Sequence, residues 1–351
     1  MHYVLIDGTN LAWQVYYSAK ASMKDFDLVD PEVADEVIYG FLNVLAPALH
    51  PTKKGSVGSL HPKQDTRVIV AMDSGRSWRF DVNPDYKNGK AAPSASHAAT
   101  SKSRFGMQLA KLPGQLSKFG IETLAIEGME ADDIVALVAA QVNQTPGNTA
   151  TLISKDKDLL ALVGPNCTYY NQALKEAVTP FNFQEYTAKT FKLSKGLTPE
   201  ELPTFRGLVG DKSDNILGVP GCAEGFANMI VTHLRPHNLL KGYTQPLKDV
   251  TTALTTHAST LSKPLQALIT PANLKHFEES FVLASPLQTP EPLQAKLKAE
   301  FKEKDVPKKP TVKEIETALQ ELNFVHFKKQ IQNGWAKGFV TETKEQELPG
   351  F

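Results

Sequence analysis

Short apolar runs that each end in acidic residues constrain the fold of this chain most strongly. The runs occupy residues 2–6, 68–72, 123–126 and 150–153, and helical patterns alternate with them over the first 190 residues. This alternation predicts an α/β fold with a parallel sheet. Because the carboxyl ends of parallel strands meet at one edge, we expect the acidic residues behind the runs to converge there. With a fifth group in a Gly-Asp-Lys-Ser-Asp-Asn segment, the acidic residues are Asp7, Asp73, Glu130, Asp132, Asp133, Asp156, Asp158, Asp211 and Asp214.

These nine carboxylates would repel one another strongly in a single crevice unless cations neutralised them. Hard oxygen ligands favour Mg²⁺, with Mn²⁺ as a substitute, and a pair of such ions can hydrolyse phosphodiesters. A simpler interpretation exists for Asp132 and Asp133, which open a helix, where carboxylates are common caps. An isolated Asp after a strand is likewise often a turn former. Capping does not explain five separate clusters, so the metal-site hypothesis is favoured.

Composition limits the remaining possibilities. The chain has 351 residues, which is enough for one large domain and a smaller one. Its two cysteines, Cys167 and Cys222, do not form a disulfide framework, and this indicates a reducing compartment. No apolar run is long enough to span a membrane, and no signal peptide precedes the first strand. We therefore expect a cytoplasmic protein without a membrane partner.

Charge is distributed unevenly although the net charge is zero. Residues 76–118 carry eight basic and two acidic side chains, a local charge of +6. A basic segment beside an acidic metal site suits a substrate with a phosphate backbone. The segment 91–104 is rich in Ala, Ser and Thr, and we expect it to be mobile without a ligand. An ordinary solvated loop is the alternative, and the charge pattern alone does not separate the two.

Helical patterns are predicted outside the strands as well. An amphipathic helix is expected at 33–49, a loop at 50–66, and two helices at 199–209 and 223–234 around the turn from Gly218 to Gly221. Such a hairpin can expose backbone amides to a phosphate and carbonyls to a monovalent ion, although an ordinary helical hairpin is the commoner structure. Further helices are expected at 241–290, a linker at 296–312 and a last amphipathic helix at 311–332.

Seven motifs occur in a fixed order over roughly residues 1–235, and together they resemble the 5′ nucleases. This family includes bacteriophage 5′–3′ exonucleases, flap endonucleases and the 5′-nuclease domain of bacterial DNA polymerase I. The Glu-Ala-Asp-Asp and Gly-Asp-Lys-Ser-Asp-Asn motifs are its most specific. The motifs are Leu5-Ile6-Asp7-Gly8-Thr9-Asn10, Ala71-Met72-Asp73, Trp78-Arg79-Phe80, Asp85-Tyr86-Lys87, Glu127-Gly128-Met129-Glu130-Ala131-Asp132-Asp133, Ser154-Lys155-Asp156-Lys157-Asp158 and the stretch from Gly207 to Gly221.

The resemblance implies a PIN-like parallel-sheet nuclease domain at 1–190 with a helical arch at about 76–118. A helix–three-turn–helix DNA-binding region would follow at 191–295. A linker and a C-terminal helix packed on the core would occupy 296–351. Without a polymerase region after these segments, we expect a stand-alone nuclease.

The resemblance also implies roles for the site residues. A tight metal site would use Asp7, Asp73, Glu130 and Asp132, with support from Asp133, and a second site would use Asp156, Asp158 and Asp211, with support from Asp214. Arg79 and Lys87 would contact the scissile phosphate, and Tyr86 would lie beside the arch. The DNA-binding residues would be Gly218, Val219 and Gly221 in the hairpin, which could also hold K⁺, and Lys90, Lys102 and Arg104 around the arch.

The implied activity is hydrolysis of DNA near free 5′ ends, flaps or nicks by two Mg²⁺ ions, leaving 5′ phosphates. RNA–DNA hybrids are a further implied substrate, the protein would act as a monomer in replication or repair, and a phage-encoded protein would act in the host cytoplasm. The sequence departs from the family after Gly221. There the usual Gly and Lys are absent and Glu224 would face phosphates, while Lys90 replaces a common Arg.

Two other functions are compatible with parts of this sequence. A catalytically silent junction-binding protein could share the fold, but it has no need to hold so much negative charge near DNA. An Mg²⁺-dependent phosphatase of small molecules could use Asp7 before Gly8 and Thr9, but it would need neither the basic segment nor the hairpin.

Overall fold

The apolar runs form strands of one six-stranded sheet. The computed structural model describes residues 1–23, 30, 34–50, 56–60, 65–88, 103–171, 173–302, 306–331 and 334–340. The strand order is β3-β2-β1-β4-β5-β6, in which the first five strands are parallel and β6 runs antiparallel to β5. The predicted α/β fold is confirmed. The strands are β1 His2–Asp7, β2 Thr66–Met72, β3 Ile121–Ala125, β4 Thr149–Ile153, β5 Cys167–Asn171 and β6 Glu176–Val178.

Helices cover both faces of this sheet. One face packs against a core that includes residues of α6, α8, α9 and α12, and the other packs against α1, α2, α5 and α14. Both layers are needed because the central parallel strands are apolar on both sides. The helices are α1 Gly8–Ser22, α2 Glu36–Leu49, α3 Val57–Leu60, α4 Arg79–Val82, α5 Arg104–Ser117, α6 Ala131–Val142, α7 Phe183–Phe191, α8 Leu202–Val209, α9 Glu224–Leu234, α10 Leu247–His257, α11 Lys263–Gln266, α12 Pro271–Ala284, α13 Glu291–Glu300, α14 Val312–Glu321 and α15 Val325–Ile331.

The register brings the carboxyl ends of β1, β2 and β4 to the same level. Asp7 at the end of β1 pairs with Ala71 of β2, two residues before Asp73. Ile6 pairs with Ile153, the last residue of β4. The acidic segments that follow these strands therefore emerge side by side at one edge, where open parallel sheets place their ligands.

The C-terminal part corrects two expectations. Residues 296–312 are not a plain linker, because α13 continues to Glu300 and Phe301 is buried edge-on against Tyr3. The expected single helix at 311–332 is two helices, α14 and α15, separated by a turn in which Asn323 has a φ of 56°. Asn tolerates this left-handed conformation better than most residues, so the chain can reverse there.

The N-terminal half corrects smaller points. The helix expected at 33–49 begins at Glu36, and the expected loop at 50–66 contains the short helix α3 before β2 begins at Thr66. Residues 89–102 of the predicted arch, which include Lys90 and Lys102, lie outside the described residues. The described chain resumes at Ser103, whose hydroxyl accepts a hydrogen bond from the amide of Gly106 and caps α5. Among the described helices, none is both long and apolar enough to cross a membrane.

Candidate active site

A cavity of about 1440 Å³ opens at the carboxyl edge of the sheet. Its walls come from the ends of β1, β2 and β4, the start of α6 and the turn that follows α8. Two of the nine acidic residues, Asp133 and Asp158, do not line it. The seven that line it are Asp7, Asp73, Glu130, Asp132, Asp156, Asp211 and Asp214, and Glu224 adds an eighth carboxylate to the cavity wall.

Asp7 and Asp73 are held by the backbone where their strands end. The carboxylate of Asp7 caps α1 by accepting from the amide of Asn10 at 3.1 Å. Asp73 accepts from the amide of Ala131 at 2.8 Å, and its own amide donates to the hydroxyl of Thr9 at 2.8 Å. These contacts fix both side chains at the sheet edge, so capping and a site role coexist here.

Three cavity carboxylates, Asp7, Asp73 and Asp156, form no salt bridge with any described residue; Asp7 is buried, and the other two are half-buried. Burial raises the pKa of Asp7 to about 6. Burial, together with nearby Glu130, raises the pKa of Asp73 to about 7, and burial with Asp158 raises that of Asp156 to about 8. A buried carboxylate without a counter-ion resists ionisation in this way. These three side chains therefore retain protons at a higher pH than free carboxylates do, and a bound cation would favour their ionised form.

Arg79 lies beneath the cavity, not on its wall. Its side chain is 1% exposed and donates to Asp133 at 2.8 Å, to Glu130 at 3.2 Å and to Asp132 at 3.4 Å. A fourth bond runs from Nε to the carbonyl of Leu283 at 2.8 Å. Contact with a phosphate, as the resemblance implied, would require Arg79 to leave these partners. Its position suits holding the carboxylates in place.

Asp133 completes this buried group. Its carboxylate is fully buried, accepts from the indole of Trp78 at 3.0 Å, and caps α6 through the amide of Glu130 at 3.1 Å. The helix-cap interpretation of Asp133 thus describes its geometry. The sequence analysis named Trp78 only as part of the Trp-Arg-Phe motif and gave it no role in the site, although its place one residue before Arg79 was a usable signal.

Lys87 and Tyr86 converge on Glu130. The ammonium of Lys87 lies 2.8 Å from Oε1 of Glu130, and the hydroxyl of Tyr86 donates to Oε2 at 3.0 Å. Burial alone would raise the pKa of Glu130, but Lys87 and Arg79 hold it below its usual value. Lys87 lines the cavity, whereas Tyr86 is buried behind it. Of the predicted catalytic residues, only Lys87 can reach a cavity ligand directly as the side chains stand.

The second group of carboxylates surrounds Arg206. Asp156 and Asp158 follow β4 in a turn where the amide of Asp158 donates to Asp156 at 2.8 Å. Arg206 of α8 bridges Asp158 and Asp211, with shortest distances of 2.5 Å to each. Burial would raise the pKa of Asp211, but Arg206 holds it below its usual value. Burial raises the pKa of Asp158 even against the attraction of Arg206.

Arg206 was missed by the sequence interpretation. The usable signal was a lone cation on the otherwise apolar segment Leu-Pro-Thr-Phe-Arg-Gly-Leu-Val, just before Gly210 and Asp211.

The helical hairpin is built on two close backbone approaches. Gly210 and Gly218 have φ values of 74° and 69°, and a Cβ at either would lie within 2.5 Å of the other strand of the turn. The expected exposure of hairpin amides is wrong for two residues. The amide of Gly218 donates to the hydroxyl of Ser280 at 3.0 Å, and that of Val219 donates to the carbonyl of Leu208 at 2.8 Å. Phosphate contacts from this turn would have to begin at Gly221, which lines the cavity.

Arg104, which was predicted to bind DNA, does not line the cavity. It forms an ion pair with Glu36, which itself accepts from Gln108 at 2.6 Å.

Two aromatic residues of α1 do line the cavity and were not predicted. Trp13 stacks on Phe105 with a centroid distance of 3.7 Å, and Tyr17 beside it is 51% exposed.

The cavity does not present a finished ion cage. Within the described part of the chain, no three carboxylate, histidine or cysteine side chains are gathered as they would be around one metal ion. Instead Arg79, Lys87 and Arg206 attract the carboxylates of both groups. The arrangement combines hard oxygen donors, partly compensated by fixed cations, with a cavity that is open to a large ligand.

The carboxylate-lined cavity lies at the carboxyl edge of the parallel sheet, where open α/β sheets bind their ligands. The sequence family described as the 5′–3′ exonuclease, N-terminal resolvase-like domain, matches residues 2–192, more than half of the chain. The chain therefore belongs to the 5′–3′ exonuclease family.

Two relatives agree with this assignment. DNA polymerase I of Bacillus caldotenax is 30% identical over 227 residues, which cover 64% of this chain but only 22% of the polymerase. The 5′–3′ exonuclease of Buchnera aphidicola is 27% identical over 218 residues, 62% of this chain and 65% of that protein. The chain thus spans about a fifth of the length of the polymerases that it matches.

Solved structures show the fold. The T5 D15 protein co-crystallised with metal ions matches with a TM-score of 0.56 at 19% identity, covering 86% of this chain and 98% of that one. The T5 D15 flap endonuclease in a pseudo-enzyme–product complex with DNA and metal ions matches with a TM-score of 0.57 at 18% identity, covering 86% and 97%.

Proposed function

We propose that this protein is a structure-dependent 5′ nuclease that hydrolyses DNA phosphodiesters near free 5′ ends, flaps or nicks and leaves 5′ phosphates. The observation that carries the proposal is the set of cavity carboxylates Asp7, Asp73 and Asp156, whose pKa values are raised by burial and which form no salt bridge with any described residue. A binding protein for a polyanion gains nothing from such a set, because it repels phosphate. Membership in the 5′–3′ exonuclease family supports the same reaction class.

Divalent cations fit the donor set. The cavity carboxylates supply hard oxygens, and burial raises the pKa of Asp7, Asp73 and Asp156, none of which forms a salt bridge with a described residue. We propose that Asp7, Asp73, Glu130 and Asp132 hold one Mg²⁺, and that Asp156, Asp158, Asp211 and Asp214 hold a second. When bound, the ions would stabilise negative charge on the phosphate and lower the pKa of a nearby water.

The remaining residues have roles that follow from their positions. Lys87 Nζ, on the cavity wall, would stabilise the extra charge of the phosphoryl transition state. Arg79 and Tyr86 would position Glu130, since both donate to it from below the cavity. Tyr17, which is exposed at the cavity wall, offers a ring on which an unpaired base could stack.

A cleavage assay tests the proposal. Flap, nicked and blunt duplexes labelled at the 5′ end are incubated with the protein and Mg²⁺, and parallel reactions contain EDTA. We expect cleavage near the 5′ end that EDTA abolishes and products that a ligase can join through their 5′ phosphates. Binding to the same duplexes without any cleavage would support the junction-binding alternative.

The requirement for a free 5′ end needs its own experiment. The resemblance implies that a single strand threads through the arch, of which residues 89–102 lie outside the described residues. A flap whose 5′ end carries a streptavidin–biotin block before the enzyme is added should resist cleavage. A flap that is blocked after the enzyme has bound is the matched control and should be cut. Equal cutting of both would contradict threading while leaving the nuclease activity intact.

A further inference from the structure

Arg206 lines the cavity, contacts two of the proposed ion ligands and has no role in the proposed mechanism. Its Nε and Nη2 donate to the two oxygens of Asp158 at 2.5 and 3.4 Å, and Nη2 also donates to Oδ2 of Asp211 at 2.5 Å. Nη1 donates to the carbonyl of Gly210 at 3.2 Å. The side chain is only 9% exposed, so one fixed guanidinium is shared by two of the carboxylates proposed for the second ion.

These contacts engage every oxygen of the two carboxylates. Both oxygens of Asp158 accept from Arg206, and the second oxygen of Asp211 accepts from the amide of Ser213 at 2.6 Å. Asp156, by contrast, accepts from the amide of Asp158 and forms no salt bridge with a described residue. Within the second group, Arg206 therefore pairs with Asp158 and Asp211, whereas Asp156 forms no ion pair with a described residue.

We propose that Arg206 acts as a resident counter-ion that a divalent cation has to displace from Asp158 and Asp211, so that it weakens ion binding at the second site. The inference rests on the proposed function, since it takes these carboxylates as ligands. A unit positive charge a few ångströms from a divalent cation opposes its binding strongly at the effective dielectric of a protein surface. While no ion is bound, the same charge stabilises the fold by pairing buried carboxylates.

A different role would have the opposite sign. If Arg206 only oriented the carboxylates toward the ion, its removal would weaken binding, as the loss of an outer-shell partner usually does. The sign of the change in metal affinity therefore separates displacement from orientation. Catalytic rates are not needed for this distinction.

The test compares Arg206→Gln and Arg206→Lys with the wild type, without DNA. Mn²⁺ binding is measured by calorimetry and by the EPR signal of the free ion, and thermal unfolding is recorded in EDTA. For the weaker of the two ion sites, we expect the Mn²⁺ Kd of Arg206→Gln to be about tenfold or more lower than that of the wild type, because one opposing charge is gone. Its Tm in EDTA should fall. Arg206→Lys, which keeps the charge, should bind Mn²⁺ nearly as the wild type does.

Arg235 provides a matched control. It also bridges both oxygens of one carboxylate, Glu201, at 2.6 and 2.7 Å, and donates to the carbonyl of Gly196 at 2.7 Å. It does not line the cavity. Arg235→Gln should lower the Tm without changing Mn²⁺ affinity. Unchanged or weaker Mn²⁺ binding in folded Arg206→Gln would overturn the proposal.

A measurement on the wild type keeps the inference testable if Arg206→Gln does not fold. Phenylglyoxal modification of Arg206 and Arg235 is followed by peptide mass spectrometry with and without Mg²⁺. Displacement predicts faster labelling of Arg206 in Mg²⁺ and no change at Arg235; equal labelling of Arg206 would overturn it. A wild type that binds no Mn²⁺ at all would refute both the inference and the proposed function. A wild type that binds and cleaves, but fails the affinity and labelling tests, would refute the inference alone.

Discussion

The backbone amide of Lys87 donates a hydrogen bond to the backbone carbonyl of Asp214 at 2.8 Å. The side chain of Asn215 makes the reciprocal contact, donating to the carbonyl of Asp85 at 2.7 Å. Lys87 and Asn215 both have left-handed backbones, with φ values of 55° and 58°. The turn that carries the cavity lysine is thus attached to the turn that carries the second group of carboxylates, although about 130 residues separate them in sequence.

Lys87→Ala should slow the chemical step about 10²-fold or more, because its charge acts on the transition state. Single-turnover cleavage at saturating enzyme measures this step, and a filter-binding Kd in Ca²⁺ measures affinity separately. Lys248→Ala, at an exposed position of α10, is the matched control. A defect confined to Kd would reassign Lys87 to plain backbone contact.

Asn215→Gly should slow the same step, because it removes the contact with Asp85 while still permitting the left-handed backbone. Its effect should largely vanish in a Lys87→Ala background, since it acts by positioning Lys87. A double-mutant cycle of single-turnover rates measures this coupling. Fully additive effects would show that Asn215 acts independently of Lys87.

Asp7→Asn should abolish cleavage while DNA binding persists, because it removes a proposed ligand charge and not a phosphate contact. Gel-shift affinity and cleavage are measured on the same flap substrate. Asp249→Asn, at an exposed position of α10, should behave as the wild type. Near wild-type turnover in purified Asp7→Asn protein would contradict the proposed first metal site.

Arg79→Gln should lower the free energy of unfolding by about 3–5 kcal/mol, because it leaves the fully buried Asp133 without its cation. Urea denaturation measures the loss. The neighbouring Arg76 pairs with Asp81 at the surface, where its side chain is 59% exposed, so Arg76→Gln should cost at most about 1 kcal/mol. Equal, small losses for both variants would mean that the Arg79 network contributes little to stability.

The stability of the metal-free protein should fall as the pH rises from 5 to 8. Burial raises the folded-state pKa of Asp7, Asp73 and Asp156 to about 6, 7 and 8, so the folded state holds protons that the unfolded chain has already lost. Glu130 and Asp211 have lowered pKa values, so their own contribution changes only in more acidic solution. Urea midpoints at pH 5, 6.5 and 8 in metal-free buffer measure the slope.

Two changes should reduce the loss of stability between pH 5 and pH 8. Asp73→Asn removes one of the proton-binding groups, and saturating Mg²⁺ favours the ionised carboxylates and releases their protons. A metal-free stability that rises between pH 5 and pH 8 would contradict the assignment of raised pKa values.

The sheet and its acidic edge could be predicted because both depend on local pattern. A short apolar run followed by Asp7 or Asp73 marks a strand and its carboxyl end, and the topology of parallel strands brings those ends together. The partners of the carboxylates could not be predicted in this way. The local sequence around Arg206 and Arg79 does not specify which carboxylates each one contacts, because those contacts follow from which helix faces which strand end. The separation of α14 from α15 was missed because Leu322 and Phe327 continue the apolar period across the turn at Asn323.

Both faces of β1 are covered by residues made late in synthesis. Tyr3 packs against Phe301 on one face, and on the other Val4 and Ile6 share a core with Ile315 of α14. At about 5–20 residues per second, a ribosome needs roughly 15 s or more to reach Phe301 after the first strand is made. Until then the nascent chain carries an incompletely covered strand, the kind of surface that chaperones bind. A fragment ending before Phe301 would lack the residues that cover β1. It would expose this strand permanently, whereas the whole chain exposes it only during translation.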